Sequence, residues 1–512
     1  MLRKFWLLLL LMLLLLCGCA VNPVTGKKEL TLVPESTELK LGAEQYAPSR
    51  QMQGGDYVTE PAVVNYVNQV GQRLAAVSDR QLPYEFKVIN DSTPNAWALP
   101  GGKIAINRGL LTELNSEAEL AAVLGHEIVH AAARHGAKGM ERGLLMQGAV
   151  LAVGMASSNS EYGQMAVGGA SVAAGLISQK YGRDAERESD YYGIQYMARA
   201  GYDPQAAVKL QETFVRLSEG RNQSWLSGLF SSHPPSMERV TANQETAREL
   251  GVRGETGQER YQQMMKPLMA AADAYQAYDD GRKALADGQP EMTLAKSQSA
   301  LQMLPEEALF HALRGDVRFK QKRYQDAVIN YDRAVQLNPG YFHFYLQRGL
   351  SREQLGEHDA AYADLDRSAR LLPTAAALNA LGNLSLVRGD RDQAKKFFSE
   401  AAGSKTEPGA AAAESLVRLD LPDNPGKYLQ VEAGRGQQGD LLARVTNPTA
   451  VAVTDVAFVV LFVDAAGNKQ QRSFQLQGEL QAGKAIVVKT GIGPETETRS
   501  LKAGVVRAKV VE

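Results

Sequence analysis

The sequence predicts a multidomain fold: a mainly α-helical domain with a small β-sheet, then an α-solenoid, then a C-terminal antiparallel β-sandwich. Three observations predict it. Apolar residues recur at helical spacing in the first half, a period of 34 residues appears beyond residue 270, and short alternating runs follow residue 426. The length of 512 residues fits three or four domains of ordinary size.

The composition narrows the class of protein. Hydrophobic residues make up 44% and charged residues 22%, which argues against wholesale disorder and against a polytopic membrane protein. The formal net charge of -1 gives no electrostatic reason to expect a nucleic-acid partner. Both cysteines, Cys17 and Cys19, lie at the N-terminus, so the folded part has no thiol for a disulfide or a zinc finger.

The N-terminus has the pattern of a secretory signal. Arg3 and Lys4 precede an apolar run over residues 5–16, which is too short to span a bilayer. The run ends in Leu-Cys-Gly-Cys, which resembles the lipobox of bacterial lipoproteins. We therefore expect a signal peptide over residues 1–18 and a lipidated Cys19; a short anchor left in place is the alternative. Because Ala20 follows where aspartate would favour the inner membrane, we expect the outer membrane, facing the periplasm.

Residues 19–47 are polar and are interpreted as a lipidated tether leading into a first helix. A first domain is expected over residues 48–255. It should contain a helix from Glu60 to Val77, a strand near residues 84–90, and two strands around the Pro-Gly-Gly turn of residues 100–102. Ser116 and Glu119 form a capping-box pattern, which predicts a helix from there through His135. The Gly- and Ala-rich residues 144–177 are interpreted as mobile helices near the site.

The second half carries repeats. Pro305, Pro339 and Pro373 are 34 residues apart, and Gly315 and Gly349 share that spacing. This period is the signature of tetratricopeptide repeats, of which we expect about four over residues 270–420. Alternating runs then predict an antiparallel β-sandwich over residues 426–512. The predicted strands cover residues 428–432, 441–446, 451–463, 473–480, 485–489 and 505–511.

The strongest chemical signal is His126-Glu-Ile-Val-His130 inside the predicted helix. Two histidines four residues apart project from one face of a helix, as two ligands of one metal ion require. Glu186, on another predicted helix, can complete the set of three protein ligands that a hydrolytic zinc site uses. Asp190 lies on the same face as Glu186 and can bond the free ring nitrogen of a ligand histidine. Glu188 is expected to face away as a solvated carboxylate.

Together these motifs resemble the zinc metallopeptidase family of the CAAX prenyl protease, HtpX and BepA type, over roughly residues 40 to 250. The resemblance implies a zincin-type metalloprotease domain with one Zn²⁺ per chain. The N-terminal segment is similar to the LoiP branch, and the repeats are similar to those of BepA. Ser189 replaces the alanine that is usual in the family motif.

The resemblance extends to further residues. Glu127 is expected to act as the general base. His233 is a candidate either for stabilising the oxyanion or for reversibly capping the zinc. Arg239 would orient His233 or bind substrate carbonyls. Asn95 and Ala96 belong to the stretch that resembles the family's substrate-binding edge strand.

The sequence thus predicts a zinc endopeptidase, anchored by lipid to the outer membrane, that cleaves misfolded or misassembled envelope proteins. The repeats would dock substrates or the outer-membrane assembly machinery. The alternative is a periplasmic chaperone or scaffold that uses the repeats and carries a latent protease domain, with residues 144–177 or His233 blocking the site.

Overall fold

A computed structural model describes residues 19–146, 181–219, 229, 232–436, 439–464, 466–493 and 497–511. The predicted signal peptide and most of the Gly- and Ala-rich stretch lie outside these residues. The chain divides into two compact units, one ending at Pro373 and the other beginning at Thr374. The predicted fold class is confirmed: a mainly helical domain with small sheets, a helical repeat region and antiparallel C-terminal sheets.

The N-terminal segment is folded, so the expected tether over residues 19–47 is wrong. Strands β1 (Cys19–Val21) and β2 (Lys28–Leu30) form an antiparallel hairpin, and α1 (Glu35–Gln51) follows. Glu38 of α1 is fully buried, where its carboxylate accepts hydrogen bonds from Arg80 Nη1 at 3.0 Å and Arg134 Nε at 2.8 Å. A buried carboxylate of this kind is stable only when it is paired, and these two arginines fasten α1 to the first domain.

A three-stranded sheet lies beside the helices of the first domain. Its order is β3-β5-β4, with β3 parallel and β4 antiparallel to the central strand, so β4 is an edge strand. The predicted Pro-Gly-Gly turn joins β4 to β5, and Gly101 and Gly102 adopt φ of +77° and +79°, a region that favours glycine. The helix and strands are α2 (Pro61–Ala75), β3 (Glu85–Ile89), β4 (Ala96–Leu99) and β5 (Lys103–Asn107).

Seven further helices of the first half lie within the residues that the structure describes. They are α3 (Arg108–Leu111), α4 (Glu117–Ala132), α5 (His135–Met146), α6 (Arg183–Arg199), α7 (Gln205–Glu219), α8 (Met237–Leu250) and α9 (Gln258–Ala270). The expected helix through His135 is wrong at its end, because Arg134 adopts a left-handed φ of 62° and separates α4 from α5. There the Arg134 guanidinium donates to Val33 O at 2.6 Å as well as to Glu38. These bonds hold the sharp turn.

The helical repeats confirm the 34-residue period. Helices α12 and α14 begin 34 residues apart, as do α13 and α15. A Cβ atom at Gly315 would lie 2.7 Å from the Tyr331 ring, so the glycine lets the two helices of one repeat cross closely. The first unit contains α10 (Ala272–Ala286), α11 (Pro290–Met303), α12 (Ala308–Lys320), α13 (Tyr324–Leu337), α14 (Phe342–Gln354) and α15 (His358–Leu371).

Within the first unit, the repeats pack directly on the first domain. Glu307 is 1% exposed, and its carboxylate accepts hydrogen bonds from Thr59 Oγ1 at 2.6 Å, Asn90 Nδ2 at 3.1 Å and Tyr275 Oη at 2.7 Å. The buried amide of Gln51 adds two backbone contacts with the third repeat. These hydrogen bonds hold the repeats against the first domain.

The second unit contains one helix pair, two further helices and the β-sandwich. The helices are α16 (Ala375–Val387), α17 (Arg391–Ala401), α18 (Glu407–Asp420) and α19 (Pro425–Tyr428). The strands are β6 (Gln430–Arg435), β7 (Leu441–Thr446), β8 (Val453–Val463), β9 (Lys469–Gln475), β10 (Ala485–Lys489) and β11 (Glu497–Val510). They form two antiparallel sheets, of order β10-β7-β6 and β11-β8-β9, around one apolar core.

One predicted strand of the sandwich is displaced. We expected a strand over residues 473–480, but β9 covers Lys469–Gln475 and pairs in register with β8, from Phe474 opposite Phe458 to Lys469 opposite Val463. Most of β9 is polar and exposed, so the sequence lacks the alternation that marks a half-buried strand. Among the residues that the structure describes, no helix combines the length and apolar character needed to cross a bilayer.

Candidate metal centre

Helix α4 carries the predicted metal-binding histidines. Ser116 caps its first turn, accepting a hydrogen bond from Glu119 N at 3.2 Å. The Glu119 carboxylate bonds Asn115 N at 2.7 Å, one residue before the position that a capping box uses. Every residue of α4 is buried. His126, Glu127 and His130 are therefore held on a rigid helix inside the domain, out of bulk water.

Two glycines let α4 and α6 cross at the site. A Cβ atom on Gly193 of α6 would lie 3.0 Å from His126 N, and one on Gly125 of α4 would lie 3.2 Å from Gly193 O. Contacts this short leave little room for a side chain on either helix. The close crossing brings the carboxylates in the first turns of α6 within reach of the histidines of α4.

Four buried side chains converge where the helices cross. Ligand-type atoms of His126, His130, Glu186 and His233 all lie within 4.8 Å of one another. Nε2 of His130 is 3.0 Å from Nε2 of His126 and 3.4 Å from a carboxylate oxygen of Glu186. Imidazole nitrogens with one carboxylate form the donor set that Zn²⁺ prefers at hydrolytic sites. The three expected ligands are thus brought together, and the residues present fit a zinc ion.

His233 reaches the same cluster from the segment before α8. Its Nδ1 lies 3.0 Å from Glu186 Oε1 and 3.3 Å from His126 Nε2, and its Nε2 lies 3.5 Å from Glu127 Oε1. It is 7% exposed. His233 is thus the fourth ligand-type side chain of the cluster, beside the three expected ligands.

Asp190 and Arg239 support the cluster from one side. Asp190 Oδ1 is 2.9 Å from His126 Nδ1, and the Arg239 guanidinium donates to both oxygens of Asp190 at 2.7 and 2.8 Å. Burial raises the pKa of the Asp190 carboxyl, but the charges and hydrogen bonds of Arg239 and His126 together outweigh burial and hold that pKa below its ordinary value. Asp190 is therefore an ionised acceptor that fixes the tautomer of His126.

Arg239 lines the cavity at the cluster and makes further contacts there. Besides the Asp190 bonds, its Nη1 lies 3.0 Å from Glu186 Oε2 and donates to Pro234 O at 3.1 Å. Its side chain is only 10% exposed. In these bonds the guanidinium contacts the carbonyl of Pro234, the residue that follows His233, and not the His233 ring.

The two carboxylate oxygens of Glu127 have different surroundings at the cluster. Its Oε1 is the atom near His233, whereas its buried Oε2 has no hydrogen-bond partner in the described part of the chain. Burial raises the pKa of the Glu127 carboxyl above its ordinary value. A carboxylate with a higher pKa is a stronger base, which suits a group that takes up a proton.

Asn95 and Ala96 lie at the start of edge strand β4. Asn95 O accepts a hydrogen bond from Asn107 N at 2.8 Å, and Ala96 is buried. Neither residue lines the cavity around His126 and Glu127. Helix α4 packs against β4, so the strand runs beside the helix that carries the histidines.

Three residues around His130 were missed or misjudged by sequence reasoning. His135 Nδ1 lies 2.9 Å from His130 Nδ1, and the ring of Tyr181 stacks on His130 with centroids 3.9 Å apart. Glu188 is not a solvated carboxylate, since its Oε2 lies 3.2 Å from His135 Nε2 and its side chain is 22% exposed. The helix break at Arg134 creates these contacts, because it turns His135 back toward α6.

The cavity at the cluster is small, about 50 Å³. A space of this size is enough for a water molecule beside the cluster. Its lining combines His126, Glu127 and His233 with the apolar side chains of Leu210 and Phe214.

Comparisons with known proteins point to a family. The model of peptidase family M48 matches residues 61–247, and a tetratricopeptide repeat model matches residues 308–341. The chain is 33% identical to metalloprotease YcaL of Escherichia coli over 190 residues, 35% of this chain and 70% of that protein. It is 36% identical to the mitochondrial metalloendopeptidase OMA1 of Schizosaccharomyces pombe over 193 residues, 37% of this chain and 55% of that protein.

A relative with a more specific name also matches. The chain is 30% identical over 220 residues to the beta-barrel assembly-enhancing protease of Escherichia coli, covering 39% of this chain and 44% of that protein. The match thus spans under half of that relative's length. Among solved structures, the tetratricopeptide-repeat domain of Arabidopsis OM64 covers 23% of this chain and 98% of that domain, at 20% identity and a TM-score of 0.23.

Proposed function

This chain belongs to peptidase family M48 and carries tetratricopeptide repeats, and on that premise we propose that it is a zinc-dependent endopeptidase of the bacterial envelope. The observation that carries the proposal is the convergence of His126, His130 and Glu186 beside the buried Glu127. His126, His130 and Glu186 would hold the zinc, one ion per chain. When bound, it would supply Lewis-acid activation of the peptide carbonyl and of the attacking water.

The protein's own side chains transfer the proton of the attacking water and stabilise the negative charge that develops on the substrate oxygen. Glu127 takes the proton of the attacking water at Oε2, the carboxylate oxygen with no partner in the described part of the chain, and delivers it to the leaving amine. His233 donates a hydrogen bond to the developing oxyanion once it leaves the position it has in this structure. Asp190 holds His126 in one tautomer, and Arg239 neutralises Asp190.

Strand β4 supports a proposal for substrate binding. An extended peptide that adds a strand beside residues 95–98 would gain main-chain hydrogen bonds at the sheet edge. Main-chain bonds make little demand on the peptide's sequence. We therefore expect the site to bind unfolded segments of many sequences, as a protease that cleaves misfolded or misassembled envelope proteins would need to.

The repeats would present those substrates or dock the outer-membrane assembly machinery. This part of the proposal is supported by the similarity to the beta-barrel assembly-enhancing protease of Escherichia coli and by the repeats themselves. The proposed substrates can be tested by comparing the peptide fragments in the envelopes of two strains. One makes the active protein and the other makes Glu127→Gln protein. Fragments of outer-membrane proteins should be enriched only with the active protein; identical fragment sets would contradict the proposed substrates.

Anchoring by lipid at Cys19 is the proposed location, supported by the lipobox-like sequence. We expect mass spectrometry to find a mature chain that starts at an acylated Cys19 and sediments with the outer membrane. Cys19→Ser should abolish the acyl mass and Cys17→Ser should keep it, because only Cys19 follows the predicted cleavage site. A mature chain that retains residues 1–18 would contradict the lipoprotein proposal.

A second candidate is a chaperone or scaffold with a latent protease domain. The position of His233 favours it, since His233 lies among the three expected zinc ligands and contacts Glu186 and His126 there. Complementation separates the two functions. If Glu127→Gln protein restores the wild-type phenotype and protein lacking residues 270–420 does not, the scaffold function is correct.

A further inference from the structure

His130 lies at one end of a chain of hydrogen-bonded side chains that runs through His135 to Glu188. Its Nδ1 lies 2.9 Å from His135 Nδ1, and His135 Nε2 lies 3.2 Å from Glu188 Oε2. His130 and His135 are 1% and 2% exposed. In contrast, His126 contacts the carboxylate of Asp190 directly. The two histidines of the motif are therefore held by chemically different neighbours.

The direction of each hydrogen bond in this chain follows from the geometry. Nε2 of His130 faces the cluster, so as a metal ligand it carries no proton and the ring proton lies on Nδ1. Nδ1 of His135 must then accept that proton. The neutral His135 ring consequently has its own proton on Nε2 and donates it to Glu188. Ser189 Oγ lies 3.4 Å from His135 Nδ1, at the long limit of a hydrogen bond, so His130 is the principal donor.

The backbone around His135 is fixed independently of the ring. Ala133 O accepts a hydrogen bond from Asn22 Nδ2 at 3.1 Å, and Arg134 is held in its left-handed conformation by Val33 O and Glu38. The adjacent Lys27 is 70% exposed and lies 3.4 Å from Glu188, so it contributes little. Glu188 is thus the last effective member of the chain.

We propose that His135 and Glu188 are positioning residues for the zinc ligand His130: Glu188 selects the tautomer of His135, which holds His130 with Nε2 turned to the metal. The inference rests on the proposed zinc site. Neither residue touches the substrate or the metal. Removing such a partner typically weakens metal binding 10- to 100-fold.

Zinc affinity of the purified full-length chain, measured by competition with a chromogenic chelator, tests this. His135→Leu should bind zinc about 10- to 100-fold more weakly than wild type. His135→Asn should keep wild-type affinity, because Asn Oδ1 can take the place of Nδ1 and still accept the His130 proton. If His135→Leu binds zinc as tightly as wild type, the inference is wrong.

Glu188→Ala gives a second test on a partly exposed side chain. It should lower zinc affinity about tenfold in the wild-type chain and cause no further loss in the His135→Asn chain, whose shorter side chain does not reach residue 188. An equal loss in both backgrounds would show that Glu188 acts only through its charge and would overturn the relay. Asp184 is an exposed carboxylate of the same helix, so Asp184→Asn is the matched control and should leave zinc affinity unchanged. A wild-type chain that binds no zinc would instead contradict the proposed function.

Discussion

Glu127→Gln is expected to lower kcat/KM for an unfolded polypeptide by about 10²–10⁴-fold while the chain keeps its zinc. The amide keeps the shape of the side chain but has no site for the proton that Glu127 Oε2 accepts from water. The variant should retain the zinc ligands, since Glu127 is not among them. Initial rates of cleavage of a fluorescently labelled, unfolded β-rich protein, together with zinc content, measure both effects.

The matched control for this variant is Glu238→Gln. Glu238 lies on α8, its side chain is 59% exposed, and it pairs with Arg187 at the surface. Its replacement should leave both the rate and the zinc content unchanged. Undiminished cleavage by pure Glu127→Gln protein would contradict the assignment of the general base.

Arg239→Ala is expected to destabilise the metal-free peptidase domain by about 3–5 kcal/mol. Its guanidinium is the cation that pairs with Asp190 and Glu186, whose side chains are 10% and 5% exposed. Breaking a buried ion pair leaves an uncompensated charge, which accounts for a loss of that size. The sequence has tryptophan at positions 6, 97 and 225, and the last two belong to this domain, so urea unfolding followed by tryptophan fluorescence reports it.

Arg187→Ala is the control for this measurement. Arg187 is half exposed and pairs with Glu238, also exposed, so its loss should change the free energy of unfolding by about 1 kcal/mol or less. An Arg239→Ala domain as stable as the Arg187→Ala domain would contradict the account of the buried pair.

Much of the fold follows from local pattern. The 34-residue period, the Pro-Gly-Gly turn and the strands over residues 441–446 and 485–489 are visible because periodicity and turn chemistry are properties of neighbouring residues. The tether over residues 19–47 was misjudged for the opposite reason. Nothing in the sequence around Glu38 indicates that this residue is buried. Its burial depends on Arg80 and Arg134, which are distant in the chain.

The site also combines features that follow from local sequence with contacts that depend on the folded backbone. The helical spacing of His126 and His130 and that of Glu186 and Asp190 are sequence properties, and the structure brings these side chains together. His135 is five residues from His130, which is no helical neighbour, so only the left-handed Arg134 reveals the contact. No pattern in the sequence marks that conformation at an arginine.

The central claim is that His126, His130 and Glu186 bind one zinc ion in this chain. Elemental analysis of the purified full-length protein and of its His130→Ala variant tests it most directly. The account predicts about one zinc per wild-type chain and almost none in the variant, because the variant lacks one of the three protein ligands that hold the ion in the proposed site. Stoichiometric zinc in the His130→Ala protein would contradict the ligand set.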